Sequence, residues 1–273
     1  MIYSLESIVK HYRTRDGVVR AVDGLSLEVR EGERLALIGR SGAGKTSLFR
    51  LLNATLRPTA GTLRFGGRDV SRMSGRDVRE MRRRIGTVYQ QHYLVPSLSA
   101  LDNALCGRLG RWSLAHTVRN ALRPAKSEAE RAMSVLEAVG LADKRHARAE
   151  ELSGGQQQRL AIARVLMQDP DVILADEPVA SLDPALAETI AALLVQLAED
   201  GNRTLITTLH AVDLALRHFP RVVALREGRV AFDAKSDVVT PRILEELFAE
   251  KETEEMEEAR RDDQQQRRPY YAH

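Results

Sequence analysis

A glycine-rich segment at residues 39–46 has the composition and spacing of a phosphate-binding loop. It fits G-x-x-x-x-G-K-[ST], follows a compact apolar run and precedes a stretch with helical spacing, which is the context that this motif requires. The glycines let successive backbone N–H groups turn toward one point, and the helix start adds a favourable potential for phosphate. Lys45 would reach the β- and γ-phosphates, and the Thr46 hydroxyl would coordinate Mg²⁺. The predicted ligand is a nucleoside triphosphate; the alternative is a glycine-rich turn that binds nothing.

Two adjacent carboxylates, Asp176 and Glu177, follow a second apolar run at residues 172–175. An acid at the carboxyl end of a buried strand lies where open α/β sheets bind their ligands. Asp176 would hold Mg²⁺ through water, and Glu177 is suited to polarise an attacking water. The alternative is a strand-ending turn with acidic caps. A phosphate-binding loop in the same chain favours the catalytic interpretation.

Strand-like and helix-like segments alternate along most of the chain. An opening β region includes residues 18–29, and short apolar runs follow at 34–39, 62–65, 85–89, 172–175, 204–208 and 222–225. Helical spacing is present at 46–56, 74–84, 184–198 and 211–218. This alternation predicts an α/β fold with a mostly parallel sheet.

The helical subdomain is predicted at about residues 95–160, with Pro124 as a break inside it. Ser127 is expected to cap the helix that follows, with Glu130 completing a capping box. Residues 251–273 carry dense charge of both signs and almost no aliphatic side chains, so we expect a flexible tail there. The predicted division is therefore one domain at 1–250 and a charged tail at 251–273.

Composition excludes several classes of protein. Apolar residues make up 43% and charged residues 29%, which is typical of a globular chain. The single cysteine, Cys106, can form neither an internal disulfide nor a cysteine-based zinc site. The net charge of +3 gives no argument for nucleic acid as a partner. No apolar stretch approaches the roughly 20 residues that span a bilayer, and no hydrophobic signal core precedes residue 20. The chain is expected in the cytoplasm unless a partner holds it at a membrane.

A third motif indicates the family. Residues 152–156, Leu-Ser-Gly-Gly-Gln, stand directly before a helical stretch, and a short Ser-Gly-Gly at a helix start can make a second anion site. In order with the two motifs above, this segment resembles the signature sequence of ABC ATPases, and the resemblance covers about residues 2–235. It implies an α/β fold with a P-loop NTPase core, a mostly parallel sheet, an N-terminal antiparallel β region and a helical subdomain. The nucleotide contacts that the motif and the resemblance together imply are Tyr12, Gly39, Arg40, Ser41, Gly42, Ala43, Gly44, Lys45, Thr46, Ser47, Ser153, Gly154, Gly155, Gln156 and Asp183.

The resemblance also implies roles for further residues. Tyr12 stands where the family stacks an aromatic ring on adenine, and Asp183 closes the segment that matches the D-loop. Gln90 matches the glutamine that touches Mg²⁺ and water and faces the membrane partner, although Gln91 beside it leaves a one-residue ambiguity. His210 matches the switch histidine that contacts the γ-phosphate. The implied catalytic set is thus Glu177, His210 and Gln90, and the implied metal ligands are Thr46, Gln90 and Asp176.

ABC ATPases work as head-to-tail dimers in which the phosphate loop of one protomer and the signature segment of the other enclose each ATP. The resemblance therefore implies ATP and Mg²⁺ as cofactors, a second copy of the chain as partner, and integral membrane permease subunits. It also implies an indirect link to a substrate-binding protein and a peripheral position at the cytoplasmic face of the inner membrane.

Within the family, several stretches resemble the phosphonate-importer ATPases, namely residues 83–91, 101–103, 107–110, 153–159 and 176–184. Residues 53–55 and Thr46 depart from the common pattern of that branch. The alternatives are an ABC ATPase for another substrate such as a polar amino acid, an ABC ATPase without a transport role, and a small-molecule P-loop kinase. One motif set, one cysteine and no heptads disfavour the non-transport ATPase, and the signature segment disfavours the kinase.

Overall fold

The computed structural model describes residues 1–14, 17–122 and 124–245. The predicted tail at 251–273 and the predicted domain boundary at residue 250 lie outside these residues. Ten strands are described, namely β1 (Tyr3–Thr14), β2 (Gly17–Val29), β3 (Arg34–Ile38), β4 (Ala60–Phe65), β5 (Arg68–Asp69), β6 (Ile85–Val88), β7 (Val172–Asp176), β8 (Thr204–Thr208), β9 (Arg221–Arg226) and β10 (Arg229–Lys235). Eight α-helices are described, namely α1 (Lys45–Leu52), α2 (Gly75–Arg83), α3 (Ala100–Leu105), α4 (Leu114–Leu122), α5 (Lys126–Ala138), α6 (Gly154–Gln168), α7 (Pro184–Asp200) and α8 (Val212–His218).

The strands form two sheets. The first is antiparallel, in the order β2-β1-β4-β5. The second has the order β10-β9-β3-β8-β7-β6, and its five strands from β9 to β6 run parallel, with β10 antiparallel at one edge. Because β3, β8, β7 and β6 are parallel neighbours, the segments that follow them emerge side by side at one edge of this sheet.

Alternate residues of the parallel strands pack into two separate cores. Leu35 and Leu37 face a core shared with the antiparallel sheet and α1. Ala36 and Ile38 face a second core made with helices α3 and α5 to α8. Strands that are buried on both faces are nearly all apolar, which explains the unbroken hydrophobic runs in the sequence. The predicted α/β fold with a mostly parallel sheet and an N-terminal antiparallel region is confirmed.

The helix after the phosphate loop is shorter than predicted, because it ends at Leu52 and not at residue 56. The Asn53 side chain accepts hydrogen bonds from the backbone N–H of Thr55 at 3.0 Å and from its hydroxyl at 2.7 Å. Ala54 between them takes a left-handed conformation with φ 56°. Such side-chain bonds to a nearby backbone compete with helical bonds and stop the helix.

The prediction that Ser127 caps a helix is wrong. The cap residue of α5 is Ala125, and Ser127 lies inside the first turn. The side chain of Asn120 accepts a hydrogen bond from the backbone N–H of Ala125 at 2.8 Å, which fixes the helix start before the serine is reached. The helices α3, α5 and α6 pack on one another; α3 and α5 lie inside the predicted helical subdomain, and α6 continues past its predicted end at about residue 160. None of the described helices is long and apolar enough to cross a bilayer.

Candidate functional site

The phosphate loop joins the end of β3 to the start of α1, as the motif predicts. Gly44 is the residue before the helix and adopts φ 100°, a left-handed conformation that favours glycine. A Cβ atom at this position would lie 2.3 Å from the carbonyl oxygen of Ala21, so the loop packs directly on the backbone of β2. The first N–H groups of α1 have no partners within the helix and can face an anion.

Lys45 is buried inside this loop, with 5% of its surface exposed. Its Nζ donates to the carbonyl oxygens of Gly39 at 2.6 Å and Arg40 at 3.1 Å. Burial lowers the pKa of Lys45, and the carboxylates of Glu177 and Asp176 act against that shift. The Lys45 ammonium group therefore lies within the loop, close enough to Glu177 and Asp176 to feel their negative charge.

The two acids follow β7, and Thr208 at the end of β8 joins them. The Thr208 hydroxyl donates to Asp176 Oδ1 at 2.8 Å and accepts the backbone N–H of Glu177 at 2.8 Å. Burial raises the pKa of Asp176, and the hydrogen bond from Thr208 acts in the opposite sense. Glu177 has φ 47°, a left-handed conformation that is uncommon for a residue with a side chain and typical of functional sites. Only its place at the end of a predicted strand marks Thr208 in the sequence, so sequence reasoning missed this residue.

His210, two residues beyond β8, lies beside Glu177. Its Nε2 is 2.6 Å from Glu177 Oε1. The Glu177 side chain is 21% exposed and the His210 side chain 50% exposed, so the pair is reachable from solvent. Both residues line a 660 Å³ groove with the N-terminal part of α7 and with α8.

Tyr12 contacts α1, the helix that follows the phosphate loop. Its hydroxyl is 3.3 Å from the Ser47 hydroxyl in the first turn of α1. The Nζ of Lys10 lies 5.6 Å from the centre of the Tyr12 ring. The structure thus brings Tyr12 and Ser47 together, whereas stacking of the ring on adenine stays a prediction.

Gln90 lies two residues after β6, at the same sheet edge as the groups above, and is exposed. Gln91 is exposed too, so the choice of Gln90 over Gln91 stays a prediction. The guanidinium group of Arg164 on α6 donates to the carbonyl oxygens of His92 and Tyr93, and the hydrogen bond to His92 is 2.6 Å long. This side chain holds the segment after Gln90 against the helical layer.

The signature segment is built separately, at the start of α6. Ser153 caps this helix: its hydroxyl accepts the backbone N–H of Gln156 at 3.4 Å, and its own N–H donates to Gln156 Oε1 at 2.9 Å. A Cβ atom on Gly155 would lie 2.4 Å from a methyl carbon of Leu186 on α7, so a larger residue there would require the Leu186 side chain to move. Gly154 and Ser153 are exposed. Asp183 caps α7 through the backbone N–H of Leu186 at 3.0 Å.

The site therefore has two parts. One sheet edge carries Lys45, Asp176, Glu177, His210 and Gln90 on the loops after adjacent parallel strands. Residues 153–156 belong to the helical layer, where their described side-chain hydrogen bonds stay within the segment. A phosphate loop facing paired acids at the ends of parallel strands defines a P-loop nucleoside triphosphatase.

Comparison with known proteins identifies the family. Residues 22–180 match the family model described as ABC transporter. The chain is 45% identical over 235 residues to the phosphonates import ATP-binding protein PhnC of Pseudomonas putida, covering 86% of this chain and 87% of that protein. The chain belongs to the ABC transporter family of ATP-binding proteins. The resemblance of the sequence to ABC ATPases is thus confirmed.

Two further comparisons agree with this assignment. The PhnC protein of Anaeromyxobacter dehalogenans is 51% identical over 232 residues, which is 85% of this chain but 46% of that protein, so the chain spans about half the length of this relative. A dimeric structure of the ATP-binding cassette MJ0796 with ADP and Pi has a TM-score of 0.75 at 30% identity, covering 86% of this chain and 99% of that chain.

Proposed function

We propose that this chain is the ATP-hydrolysing subunit of an ABC importer for phosphonates. The observation that carries the proposal is the hydrogen-bonded group of Asp176, Glu177, Thr208 and His210, which faces the phosphate loop across one sheet edge. It supplies a carboxylate held in place beside the position that a triphosphate would take. The direction and substrate of transport rest on the relatives, which are named as phosphonates import proteins.

In the proposed reaction, the loop N–H groups and Lys45 bind the β- and γ-phosphates, and Tyr12 stacks on the adenine. Glu177 accepts a proton from the attacking water, because its carboxylate is the one held at the edge of the groove and is partly exposed. His210 keeps that carboxylate oriented and contacts the γ-phosphate. Thr208 fixes the backbone of Glu177, so that the base cannot turn away from the phosphate.

The donor set fits Mg²⁺. The Thr46 hydroxyl, the Asp176 carboxylate and the Gln90 amide oxygen are hard oxygen ligands of the kind that Mg²⁺ combines with phosphate oxygens and water. Thr208 holds one oxygen of Asp176 and so orients the other. In the part of the chain that the structure describes, no group of three or more His, Cys, Asp or Glu side chains could hold a metal by itself. Bound there, the cation would neutralise charge on the phosphates.

The signature segment acts on the nucleotide of a second copy of the chain. Ser153 and Gly154 are exposed at the start of a 15-residue helix, where N–H groups favour an anion. Two head-to-tail protomers would enclose two ATP molecules, each between one phosphate loop and the other protomer's residues 153–156. Asp183 caps α7, the helix whose Leu186 side chain packs on Gly155. Closure on ATP and opening after hydrolysis would move permease subunits that hold the dimer at the cytoplasmic face of the inner membrane.

Glu177→Gln tests the catalytic assignment, with Glu188→Gln as the matched control. Glu188 lines the same groove but pairs with Arg217 and His218. We expect Glu177→Gln to bind ATP, to accumulate as a dimer, and to lose at least about 100-fold in kcat, which is the range of a general base. Glu188→Gln should hydrolyse ATP within twofold of the wild type. Wild-type hydrolysis by Glu177→Gln, measured as phosphate release, would remove the role assigned to Glu177.

Growth on a phosphonate as sole phosphorus source tests the substrate. A deletion strain should fail to grow on the phosphonate yet grow on phosphate, and wild type but not Glu177→Gln should restore growth. Normal growth of the deletion strain, in a background without a second phosphonate uptake system, would contradict phosphonate import. The ATPase assignment would then stand on the biochemical assay alone.

A further inference from the structure

One acidic residue lies where the chain passes between the two halves of the proposed nucleotide site. Asp169 follows α6 directly, and β7 begins three residues later, at Val172. The helix α6 starts with the signature segment, and β7 ends at Asp176. Asp169 is therefore located at the end of each element that is opposite to its functional residues.

The backbone of Asp169 ends α6 in a left-handed turn. Its φ is 58° and its ψ is 60°, and its N–H donates to the carbonyl oxygen of Leu166 at 2.9 Å. Aspartate adopts this conformation more readily than most residues with a side chain, and Pro170 cannot continue a helix. A fixed turn at the end of α6 thus carries the Asp169 carboxylate.

This carboxylate joins two arginines that belong to different layers. Arg131 on α5 lies 3.0 Å from Asp169 Oδ2, and Arg203, directly before β8, lies 3.3 Å from Oδ1. Arg203 also donates to the carbonyl oxygen of Leu197 on α7 at 3.3 Å. The helix α5 packs on α6 in the helical layer, whereas β8 pairs with β7 in the parallel sheet. One carboxylate therefore connects the helical layer to the sheet.

Asp169 is ionised at neutral pH. Partial burial raises its pKa, but the hydrogen bonds and charges of Arg131 and Arg203 act more strongly and lower the pKa below its usual range. The side chains of Asp169, Arg131 and Arg203 are 47%, 42% and 21% exposed, so solvent screens these pairs. Their contribution to the free energy of unfolding is therefore small, and we expect their main effect in the orientation of α6.

A small change of orientation at Asp169 becomes large at the other end of α6. A helix of 15 residues is about 22 Å long, so a tilt of about 5° at one end displaces the other end by about 2 Å. Ser153 and Gly154 are exposed at that other end. A displacement of this size breaks a hydrogen bond, because donor and acceptor must stay within a few tenths of an ångström of their best distance.

We propose that Asp169 is a positioning residue for ATP hydrolysis at the partner's site. By binding both Arg131 and Arg203, it orients α6 so that residues 153–156 reach the nucleotide held by the other protomer. The inference rests on the proposed function, because it requires the head-to-tail dimer. A change at Asp169 in one chain therefore slows hydrolysis of the ATP bound to the other chain.

The variants that test this role are Asp169→Asn, Arg131→Glu and the two changes together. Asp169→Asn removes the charge and keeps a side chain that tolerates the left-handed turn. Arg131→Glu places a like charge beside Asp169. Lys126→Glu is the matched control, because it makes the same charge change on α5 at a side chain that is 91% exposed and pairs with Glu130 of the same helix.

We expect kcat to fall about threefold for Asp169→Asn and about fivefold for Arg131→Glu, and no further in the double variant, because both changes break one bridge. ATP binding by the monomer and the denaturant midpoint should stay close to the wild type for all variants, and Lys126→Glu should hydrolyse ATP normally. Additive losses in the double variant, an equal loss in Lys126→Glu, or weaker ATP binding by the monomer would overturn the proposal.

Mixed dimers separate an effect on the partner's nucleotide from an effect within the chain. In a dimer of Arg131→Glu with Lys45→Ala, one site combines an intact phosphate loop with an intact signature segment. An excess of Lys45→Ala should therefore raise hydrolysis per Arg131→Glu chain severalfold. No increase would overturn the proposal, because Arg131→Glu would then impair the sheet edge of its own chain.

The same mixture made with Ser153→Ala is the reference. Ser153 belongs to the signature segment itself, so an excess of Lys45→Ala should raise hydrolysis there too. An increase with Ser153→Ala but none with Arg131→Glu would remove the role of Asp169 and leave the proposed dimer standing. No increase in either mixture would contradict the head-to-tail dimer of the proposed function, and the inference with it.

Discussion

The sheet edge and the start of α6 are the two proposed halves of the nucleotide site, and different contacts hold each of them in place. At the sheet edge, Thr208 bonds across two strands to Asp176 and to the backbone of Glu177, 32 and 31 residues earlier in the chain. At α6, Ser153 and Gln156 bond only to each other among the described contacts of their side chains. The first half is thus ordered by the whole fold, and the second by one helical turn that faces outward. In the proposed dimer, the first half binds the nucleotide of its own chain, and the outward-facing turn contacts the nucleotide that the partner chain holds.

The largest effect expected for a comparison of the two halves comes from changing one residue in each. Lys45→Ala should weaken ATP binding to the monomer at least tenfold, because it removes the buried cation of the loop. Ser153→Ala should leave monomer binding within twofold and lower kcat about tenfold. The measurements are fluorescent-nucleotide titration and steady-state hydrolysis.

Mixing these two variants sharpens the test. In a head-to-tail dimer of Lys45→Ala with Ser153→Ala, one site carries both changes and the other carries neither. Hydrolysis by the mixture should therefore exceed that of either variant alone. A mixture no more active than its components would show that both halves of each site come from the same chain.

Thr208→Val tests the ordering of the sheet edge. The change keeps the shape of the side chain and removes the hydroxyl that joins Asp176 to Glu177, so we expect kcat to fall about tenfold, with a loss of stability of about 1–2 kcal/mol. Thr207→Val is the control, since the Thr207 hydroxyl donates to the Ala175 carbonyl oxygen at 3.2 Å and touches neither acid. An equal fall in kcat for Thr207→Val would mean that general destabilisation, and not the position of Glu177, explains the effect.

The smallest predicted effect concerns two helices that both begin with a capping box, α2 and α6. Ser74 and Asp77 form a capping box at α2 that matches the one at α6, but with a group that titrates. Hydrogen bonds from Ser74, together with those from Arg68, lower the pKa of Asp77 to about 2. A lowered carboxyl pKa stabilises the fold above the unfolded value near 4 and loses this contribution as the pH falls toward 2.

Asp77→Asn should therefore lower stability slightly at pH 7, and the difference from wild type should shrink only below about pH 4. Denaturant unfolding of both proteins from pH 7 to pH 3 measures this difference. Gln156→Glu places a titrating group in the other box and should make its cap newly pH-dependent. If the stability difference between Asp77→Asn and the wild type stays constant with pH, the ionised carboxylate of Asp77 does not stabilise the helix start as we expect.

Parts of the site that depend on local sequence were predictable, and parts that depend on distant contacts were not. The loop after β3 and the acids after β7 follow from short motifs whose strand and helix neighbours are visible in the sequence. Thr208 was missed because an ordinary strand residue acquires its role only when β8 pairs with β7. Strand β10 was missed because its half-exposed alternation at a sheet edge gives a weak hydrophobic signal.

The errors at helix ends have the same origin. Asn53 stops α1 through its bonds to Thr55, and Asn120 sets the start of α5 from five residues away. In both places the hydrogen bonds of a side-chain amide set the helix boundary, and the spacing of apolar residues in the sequence does not predict it. The family roles of Tyr12, Gln90 and His210 stay predictions.

The position of β3 in the sheet has a consequence for synthesis. Its two neighbours are β8 and β9, which lie more than 160 residues later in the chain, at Thr204–Thr208 and Arg221–Arg226. A growing chain on the ribosome therefore carries a finished phosphate motif on an apolar strand that has nothing to pair with. Nucleotide cannot assist folding until translation has passed β8, and until then this strand must be shielded from other chains.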